Sequence, residues 1–333
     1  MKPKVFLFSA YNKWAIGDDL LQTKRALQNI VEFTDLAHAE VVHCVWWEEI
    51  LGLDVRQLMG KRIVCHMSGE PSRYLKLPRF AVMPKMVGLW ISQSTEAKNQ
   101  LNNLGLKNVL IPYVVDTEIF KPTIDVQDIV EKWKIPSDKY LICNFHRDTE
   151  GSDLISPKLV KGPDIFLEIV NCLHRTKNIH VILAGPRRFW IKNQLSQHKI
   201  SYSFIGKEIT GDDMSQNVLP QDIINKLYNI SDLCVISSRS EGGPRTLIEA
   251  IASKCKVIST DVGLARDVLC DKNVYSTANE ACLIVKKDIE DNFLGDTIEL
   301  QYEKMINNNT LFYSIPIFKK LYDEINDIPL LNG

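Results

Sequence analysis

Two carboxylates, Glu241 and Glu249, stand eight positions apart, with Gly242, Gly243, Pro244, Arg245 and Thr246 among the residues between them. A carboxylate accepts hydrogen bonds from vicinal hydroxyls, glycine lets an anion approach the backbone, and the first turn of a helix offers unpaired N–H groups at its positive end. The set suits an elongated ligand such as a sugar diphosphate, with hydroxyls toward its ends and phosphates between. A plainer reading also fits the spacing: Glu241 as a capping or surface acid and Glu249 as a solvated helix residue.

The flanks say which elements must hold these residues. Leu233 to Ser237 is a short apolar run of the kind that forms a strand buried on both faces, and Arg239 to Gly243 is a turn. Pro244 fits the first helical position, and Leu247, Ile248 and Ile251 mark a buried helix face. The expected anion site is then the glycine backbone with the free amides of Arg245, Thr246 and Leu247.

A chain of 333 residues is long enough for two domains. A net charge of -1 gives no global attraction to nucleic acid. No apolar run is long enough to span a bilayer, and Met1 to Ser9 reads as a first strand and not as an export signal. The eight cysteines lack metal-ligand spacing, so free buried thiols in a reducing cytoplasm are expected and zinc is not.

Apolar strand candidates alternate with helical stretches twice over. Val5 to Ser9, Val41 to Trp46, Arg62 to His66, Val87 to Ser92 and Val109 to Tyr113 form one set. Tyr140 to Asn144, Val181 to Ala184, Tyr202 to Ile205, Leu233 to Ser237, Val257 to Ser259 and Cys282 to Val285 form another. Alternation of this kind predicts α/β architecture with two parallel sheets, whose ligands sit at the carboxyl ends of strands.

At this point a family resemblance emerges. Glu241 to Val268 resembles the donor-binding signature of the GT4-type retaining glycosyltransferases. The stretches Ile91 to Pro112, Val115 to Pro122, Lys161 to Phe166, Gly206 and Tyr228 to Asp232 resemble flanking segments of that family. The resemblance implies a GT-B fold of two Rossmann-like domains facing across a cleft. The first would be an acceptor-side domain, 1–122, and the second a nucleotide-sugar domain, 123–310, with a C-terminal segment at 311–330 crossing back to the first.

It also implies roles for particular residues. Glu249 would bind the ribose of a UDP-, GDP- or ADP-sugar, Glu241 would lie beside the donor sugar, and Gly242 and Gly243 would give backbone contacts. Arg147 and Lys161 would stabilise the leaving diphosphate, as preorganised cations do. The family places its two basic residues close together, whereas Asp148 to Val160 intervenes here, so Lys158 could take the role instead of Lys161. His66, at a strand end, is either near the reacting centre or a structural hydrogen bonder. Gly17 would belong to an N-terminal glycine loop, Gly206 to the approach of the base, and Lys254 replaces a helix-ending glycine at some cost.

No Asp-x-Asp motif is suitably placed, so no cofactor or metal is expected for the chemistry. The expected activity is transfer of a sugar, with retained configuration, to a hydroxyl of a glycan or lipid-linked acceptor in surface polysaccharide or glycoconjugate assembly. Competing readings are a nucleotide-sugar epimerase of the same fold and a non-catalytic binding subunit. Between Arg56 and Lys107 there are nine basic and two acidic residues, a mix that suits either an anionic membrane surface or a solvated loop. The expected location is cytoplasmic, at the inner face of a membrane if that stretch docks.

Overall fold

The computed structural model describes residues 2–9 and 14–332. In the first part of the chain, strands β1 (Lys4–Phe8), β2 (Glu32–Phe33), β3 (Val41–Cys44), β4 (Arg62–Met67), β5 (Leu89–Ser92) and β6 (Asn108–Leu110) are joined by helices, including α1 (Trp14–Leu27) and α2 (Thr95–Asn103). In the second part the strands are β7 (Tyr140–Asn144), β8 (Ile179–Ala184), β9 (Tyr202–Ile205), β10 (Leu233–Ile236), β11 (Lys256–Thr260) and β12 (Val274–Tyr275). The longer helices there are α3 (Pro163–His174), α4 (Phe189–Gln197), α5 (Gln221–Ile230), α6 (Arg245–Ala252) and α7 (Ala278–Asp291), and the chain closes on α8 (Thr297–Asn308) and α9 (Leu311–Asp323).

The strands form two six-stranded sheets, ordered β2-β1-β3-β4-β5-β6 and β12-β11-β10-β7-β8-β9, with parallel pairing throughout. Helices on both faces require strands buried on both faces, which is why β3, β5, β8 and β10 are buried at every position. No helix among the described residues is long and apolar enough to cross a membrane.

The chain divides into two compact units: 1–114 with 241–243 and 307–333, and 115–240 with 244–306. In the first unit, one core cluster packs Val5, Leu27 and Val64 with Phe318, Leu321 and Tyr322 of α9. The other, on the opposite face of the sheet, packs Val42, Trp47, Ile63, Phe80 and Trp90. The C-terminal segment is fastened there by Asn309 donating to the Tyr113 carbonyl (2.9 Å) and by reciprocal backbone bonds between residues 60–61 and Leu331. Ile328 settles where Gly88 lacks a Cβ, since one there would lie 2.6 Å from its Cγ2.

Two sequence expectations are corrected. Cys282 to Val285 is not a strand but part of α7, where Cys282 and Val285 share a buried face three residues apart. Its apolar run was too short for periodicity to separate strand from helix. Nor are all cysteines free: Cys172 of α3 and Cys282 of α7 form a disulfide across two helices that pack together, while the other six are free.

Candidate functional site

In the second sheet the strand order reverses direction between β7 and β10, and an open α/β sheet receives ligands outside the carboxyl ends of its strands at such a point. The two strands are paired at Leu233 with Ile142 and Cys234 with Cys143. Asn144 ties their ends by donating to the Val235 carbonyl at 2.9 Å. Just beyond β7, buried His146 reaches Thr246 Oγ1 at the start of α6 with Nε2 (2.9 Å) and Ser238 Oγ with Nδ1 (3.4 Å). His146 thus joins the three segments that meet at the switch point, a role that nothing in the local sequence announces.

Arg147 follows on a loop held by a buried ion pair. Arg188 donates to the carbonyl (2.8 Å) and the side-chain oxygen (2.8 Å) of Asn144, and its Nε lies 2.7 Å from Asp148 Oδ2. Asp148 also accepts from Thr149 Oγ1 and the Ile191 amide. Burial pushes the Asp148 carboxyl up while the Arg188 charge opposes the shift. Arg147 itself is half-buried, with Nη1 3.6 Å from Met214 Sδ. Burial and then the nearby Arg187 lower its pKa from the ordinary arginine value. Arg187, which sequence reasoning passed over, gives the Nε and Nη2 edge of its guanidinium to the two oxygens of Asp212 (2.9 and 2.5 Å).

The long interval between Arg147 and the candidate lysines collapses in space. Residues 149–157 leave and return as a closed excursion, with Thr149 bridged to Pro157 and the Glu150 amide bonded to the Ser156 carbonyl. The Lys158 amide then donates to the Asp148 carbonyl at 2.7 Å, so the insertion does not separate the basic residues. Lys158 Nζ lies 3.7 Å from Glu150.

Lys161 closes a short 3-10 turn whose last carbonyl accepts from Ser237 Oγ (3.3 Å) at the end of β10. The next residue has to be glycine. Gly162 has φ +60°, and a Cβ there would sit 1.7 Å from the Ser237 carbonyl oxygen. Arg239 locks the same corner, donating to the Leu159 carbonyl and to both oxygens of Asp164 (2.7 and 2.6 Å).

Glu249 lies on the fifth residue of α6 with a nearly buried side chain. It accepts from Tyr228 Oη of α5 at 3.3 Å, and its other oxygen is 3.9 Å from Arg245 Nε. The amide set expected at the helix start is smaller than the sequence suggests. Pro244 is the capping residue and not the first helical one, and its carbonyl takes the Leu247 amide at 3.0 Å. At the other end Lys254 adopts φ +57°, with the Lys254 and Cys255 amides bonded to the Ile251 and Ala250 carbonyls. This is the double bond pattern usually completed by glycine. Glu241, Gly242 and Gly243 occupy the turn between β10 and α6, grouped with the first unit.

Gly206 follows β9, and a Cβ on it would lie 2.8 Å from Asn217 Oδ1. The segment after it looked irregular in sequence, but two buried side chains order it. Asn217 bonds both the amide (2.7 Å) and the carbonyl (3.0 Å) of Lys207 and donates to Asp213, which in turn accepts from the Arg187 amide.

In the first unit one expectation changes. Gly17 lies within α1 and not in a loop before it, because the helix begins at Trp14. Of the two readings of His66, its surroundings fit the structural hydrogen bonder. It is buried inside β4, with Nε2 2.9 Å from His43 Nε2 and Nδ1 3.2 Å from Asp19 Oδ2. A hydrogen bond from His66 to a ligand would require breaking one of these contacts. Sequence reasoning found His66 and missed His43, Asp19 and Gln93, since a lone polar residue in an apolar run shows no partner.

Three solved structures illustrate what the fold is similar to. Anabaena HepE in complex with UDP and glucose superposes with TM-score 0.73 at 13% identity, covering 97% of this chain and 100% of that one. Sucrose-phosphate synthase from Thermosynechococcus elongatus gives 0.68 at 14%, covering 92% and 77%. A glycosyltransferase from Rickettsia africae gives 0.65 at 18%, covering 97% and 85%. Likeness at these identities concerns the fold, the two-sheet α/β plan of the GT-B class. No curated protein matches the chain by sequence. Residues 125–292, half of the chain and the segment that carries Arg147, Lys158, Lys161, Gly206 and the Glu241 to Glu249 run, match the model of the glycosyl transferases group 1, and the protein belongs to that family.

Proposed function

We propose that the protein transfers a sugar from a nucleoside-diphosphate sugar to a hydroxyl of a glycan or lipid-linked acceptor, with retained configuration and without a metal ion in the chemistry. The observation that carries this reading is the gathering of Arg147, the start of α6 and the Lys158 to Lys161 turn around the carboxyl ends of β7 and β10. HepE, of the same fold, was solved with UDP and glucose.

In this reading Glu249, held by Tyr228 and Arg245, takes the ribose hydroxyls, and Arg147 with Lys161 stabilises the departing diphosphate. Lys161 is preferred over Lys158 because its turn is docked on the end of β10, whereas Lys158 faces Glu150. Glu241 positions the donor sugar, and Gly242 and Gly243 lend their backbone to the phosphates. The acceptor hydroxyl attacks the anomeric carbon on the face that the diphosphate leaves, and its proton passes to the leaving phosphate. His66 would reach the donor sugar by giving up its His43 or its Asp19 contact. Gly206 sets the segment that meets the base.

Lipid-linked acceptors would bring the protein to the inner face of a membrane in surface polysaccharide assembly. In support, Leu75 and Val82 are about half exposed beside Arg73, Lys76 and Lys85, although Arg56 and Arg79 already face Asp54 and Glu48. Sedimentation with anionic vesicles tests that contact.

The donor reading is tested by thermal shift with UDP-, GDP- and ADP-sugars in EDTA. One nucleotide should raise the melting temperature of the wild type. Glu249→Ala should weaken that nucleotide roughly tenfold or more, as loss of a charge-assisted hydrogen bond does. Glu241→Gln should lower turnover and leave nucleoside-diphosphate affinity nearly unchanged. No shift with any nucleotide sinks the reading, and equal loss of affinity in both variants reverses the two assignments.

A further inference from the structure

Beside Arg147 the second unit places a further cation that the donor reading does not use. Arg187 stands three residues beyond β8, the strand paired with β7, and its backbone is tied into the Arg147 loop. The Arg187 carbonyl accepts the amides of Asp148 (3.3 Å) and Thr149 (3.1 Å), the two residues that follow Arg147. Its guanidinium gives Nε and Nη2 to Asp212 and Nη1 to the Gly151 carbonyl at 3.2 Å. The two arginines are near enough that the Arg187 charge adds to burial in lowering the Arg147 pKa.

Like charges held together are unfavourable unless an anion balances them. Asp212 supplies that balance from a side chain about half exposed to solvent. Such an ion pair contributes little in water, so another anion can replace it at small cost. The segment that carries Asp212 also reaches Arg147. Met214 Sδ lies 3.6 Å from Arg147 Nη1, and the Met214 amide donates to Asp212 Oδ1 at 3.2 Å. Arg187 itself adopts φ +54°, a left-handed backbone that is strained for any residue with a Cβ, and Asp213 holds it there by accepting its amide at 2.7 Å. Glycine would take that backbone without strain, so the guanidinium is what the strain retains.

We propose that Arg187 is a further diphosphate-binding residue of the donor site, and that Asp212 is its counter-ion only in the absence of donor. The inference rests on the donor reading. A nucleoside diphosphate is a polyanion able to take two guanidiniums at once, and the planar fork of arginine suits phosphate oxygens. As the diphosphate settles on Arg147, Arg187 exchanges the Asp212 carboxylate for a phosphate oxygen. After sugar transfer, Asp212 competes for Arg187 again and speeds departure of the nucleoside diphosphate.

The test is calorimetric titration of the full chain with UDP, GDP and ADP. The wild type should bind one of them. Arg187→Gln should weaken it roughly tenfold, as loss of a charge-assisted hydrogen bond does. Asp212→Asn should tighten it roughly threefold, the worth of an exposed ion pair, and should have no effect in the Arg187→Gln background. A purely structural Arg187 predicts the opposite sign for Asp212→Asn, because loosening the segment that touches Arg147 weakens binding. Unchanged or weaker binding in Asp212→Asn, equal tightening with and without Arg187, or full affinity in Arg187→Gln overturns the proposal and leaves the donor reading standing. A wild type that binds none of the three nucleotides overturns both. Asp212→Asn alone decides if Arg187→Gln fails to fold.

Discussion

The carboxyl edges of the two sheets are both organised by polar groups, but with different chemistry. In the second unit the scaffold is ionic: Arg188 against Asp148, Arg187 against Asp212, and Arg239 against Asp164 hold the loops that carry Arg147 and Lys161. In the first unit it is a relay of two imidazoles, an amide and a phenol ending on one carboxylate. A buried cation needs a neighbour that balances its charge, whereas imidazole, amide and phenol groups in their neutral forms need only hydrogen-bond partners. The ionic scaffold should therefore be the more fragile when one member is lost.

Breaking it gives the largest expected effect. Arg188→Met leaves Asp148 buried without its partner and should cost about 3–5 kcal/mol in urea unfolding. Tyr322→Phe removes one donor from the neutral chain and should cost only about 1–2 kcal/mol. Equal losses would mean that the two edges are not built on different principles.

A steric version of the comparison follows. Gly162 and Gly60 both have positive φ, yet a Cβ at Gly162 meets backbone at 1.7 Å while nothing lies within 4 Å of one at Gly60. Gly60→Ala should cost about 1 kcal/mol. Gly162→Ala should cost about 3 kcal/mol, since overpacking adds to strain, and should displace Lys161. If Gly162→Ala unfolds like Gly60→Ala, the turn is not held against β10 in solution.

The alternation of strands and helices was legible because strands buried on both faces are written as near-continuous apolar runs. So was the Glu241 to Glu249 run, because a strand, a turn and a helix start leave a local signature. The pieces that could not be read are those made by distant partners. His43, Asp19 and Tyr322 are separated by up to 303 positions, and each alone is an ordinary residue. The insertion from Asp148 to Val160 looked like a break in the basic pair because sequence distance says nothing about an excursion that closes on itself. Cys172 and Cys282 met for the same reason: the packing of α3 on α7 brings them together.

Acid acts more gently, and with the same sign in both units. Burial, with His66 beside it, pushes His43 well below the ordinary histidine value, and burial with Lys139 nearby pushes His180 to about 4. The unfolded chain is then the better proton binder, so stability is lost as pH falls below about 6.5. For His180 the loss ends near its native value. His43→Gln and His180→Gln should each flatten the fall in melting temperature over this range, since burial holds both rings below the ordinary histidine value.

The smallest effect concerns two helix ends with the same hydrogen-bond pattern. After α2 the left-handed position is Gly105 (φ +69°), with the Leu106 amide on the Leu101 carbonyl, and after α6 it is Lys254 (φ +57°). Gly105→Ala should cost about 1 kcal/mol, the penalty of a Cβ in that conformation. At Lys254 the same strain is already present, offset by contacts of Nζ with both Glu299 oxygens (2.7 and 2.8 Å) and with the Tyr302 ring. Lys254→Gly relieves about 1 kcal/mol of strain. It also forfeits an exposed ion pair and gains unfolded-state freedom, each of about 0.5–1 kcal/mol. The net change should stay within about 1 kcal/mol of zero. A loss above about 2 kcal/mol in thermal unfolding would show that the Glu299 and Tyr302 contacts, rather than the helix-end backbone, hold this corner.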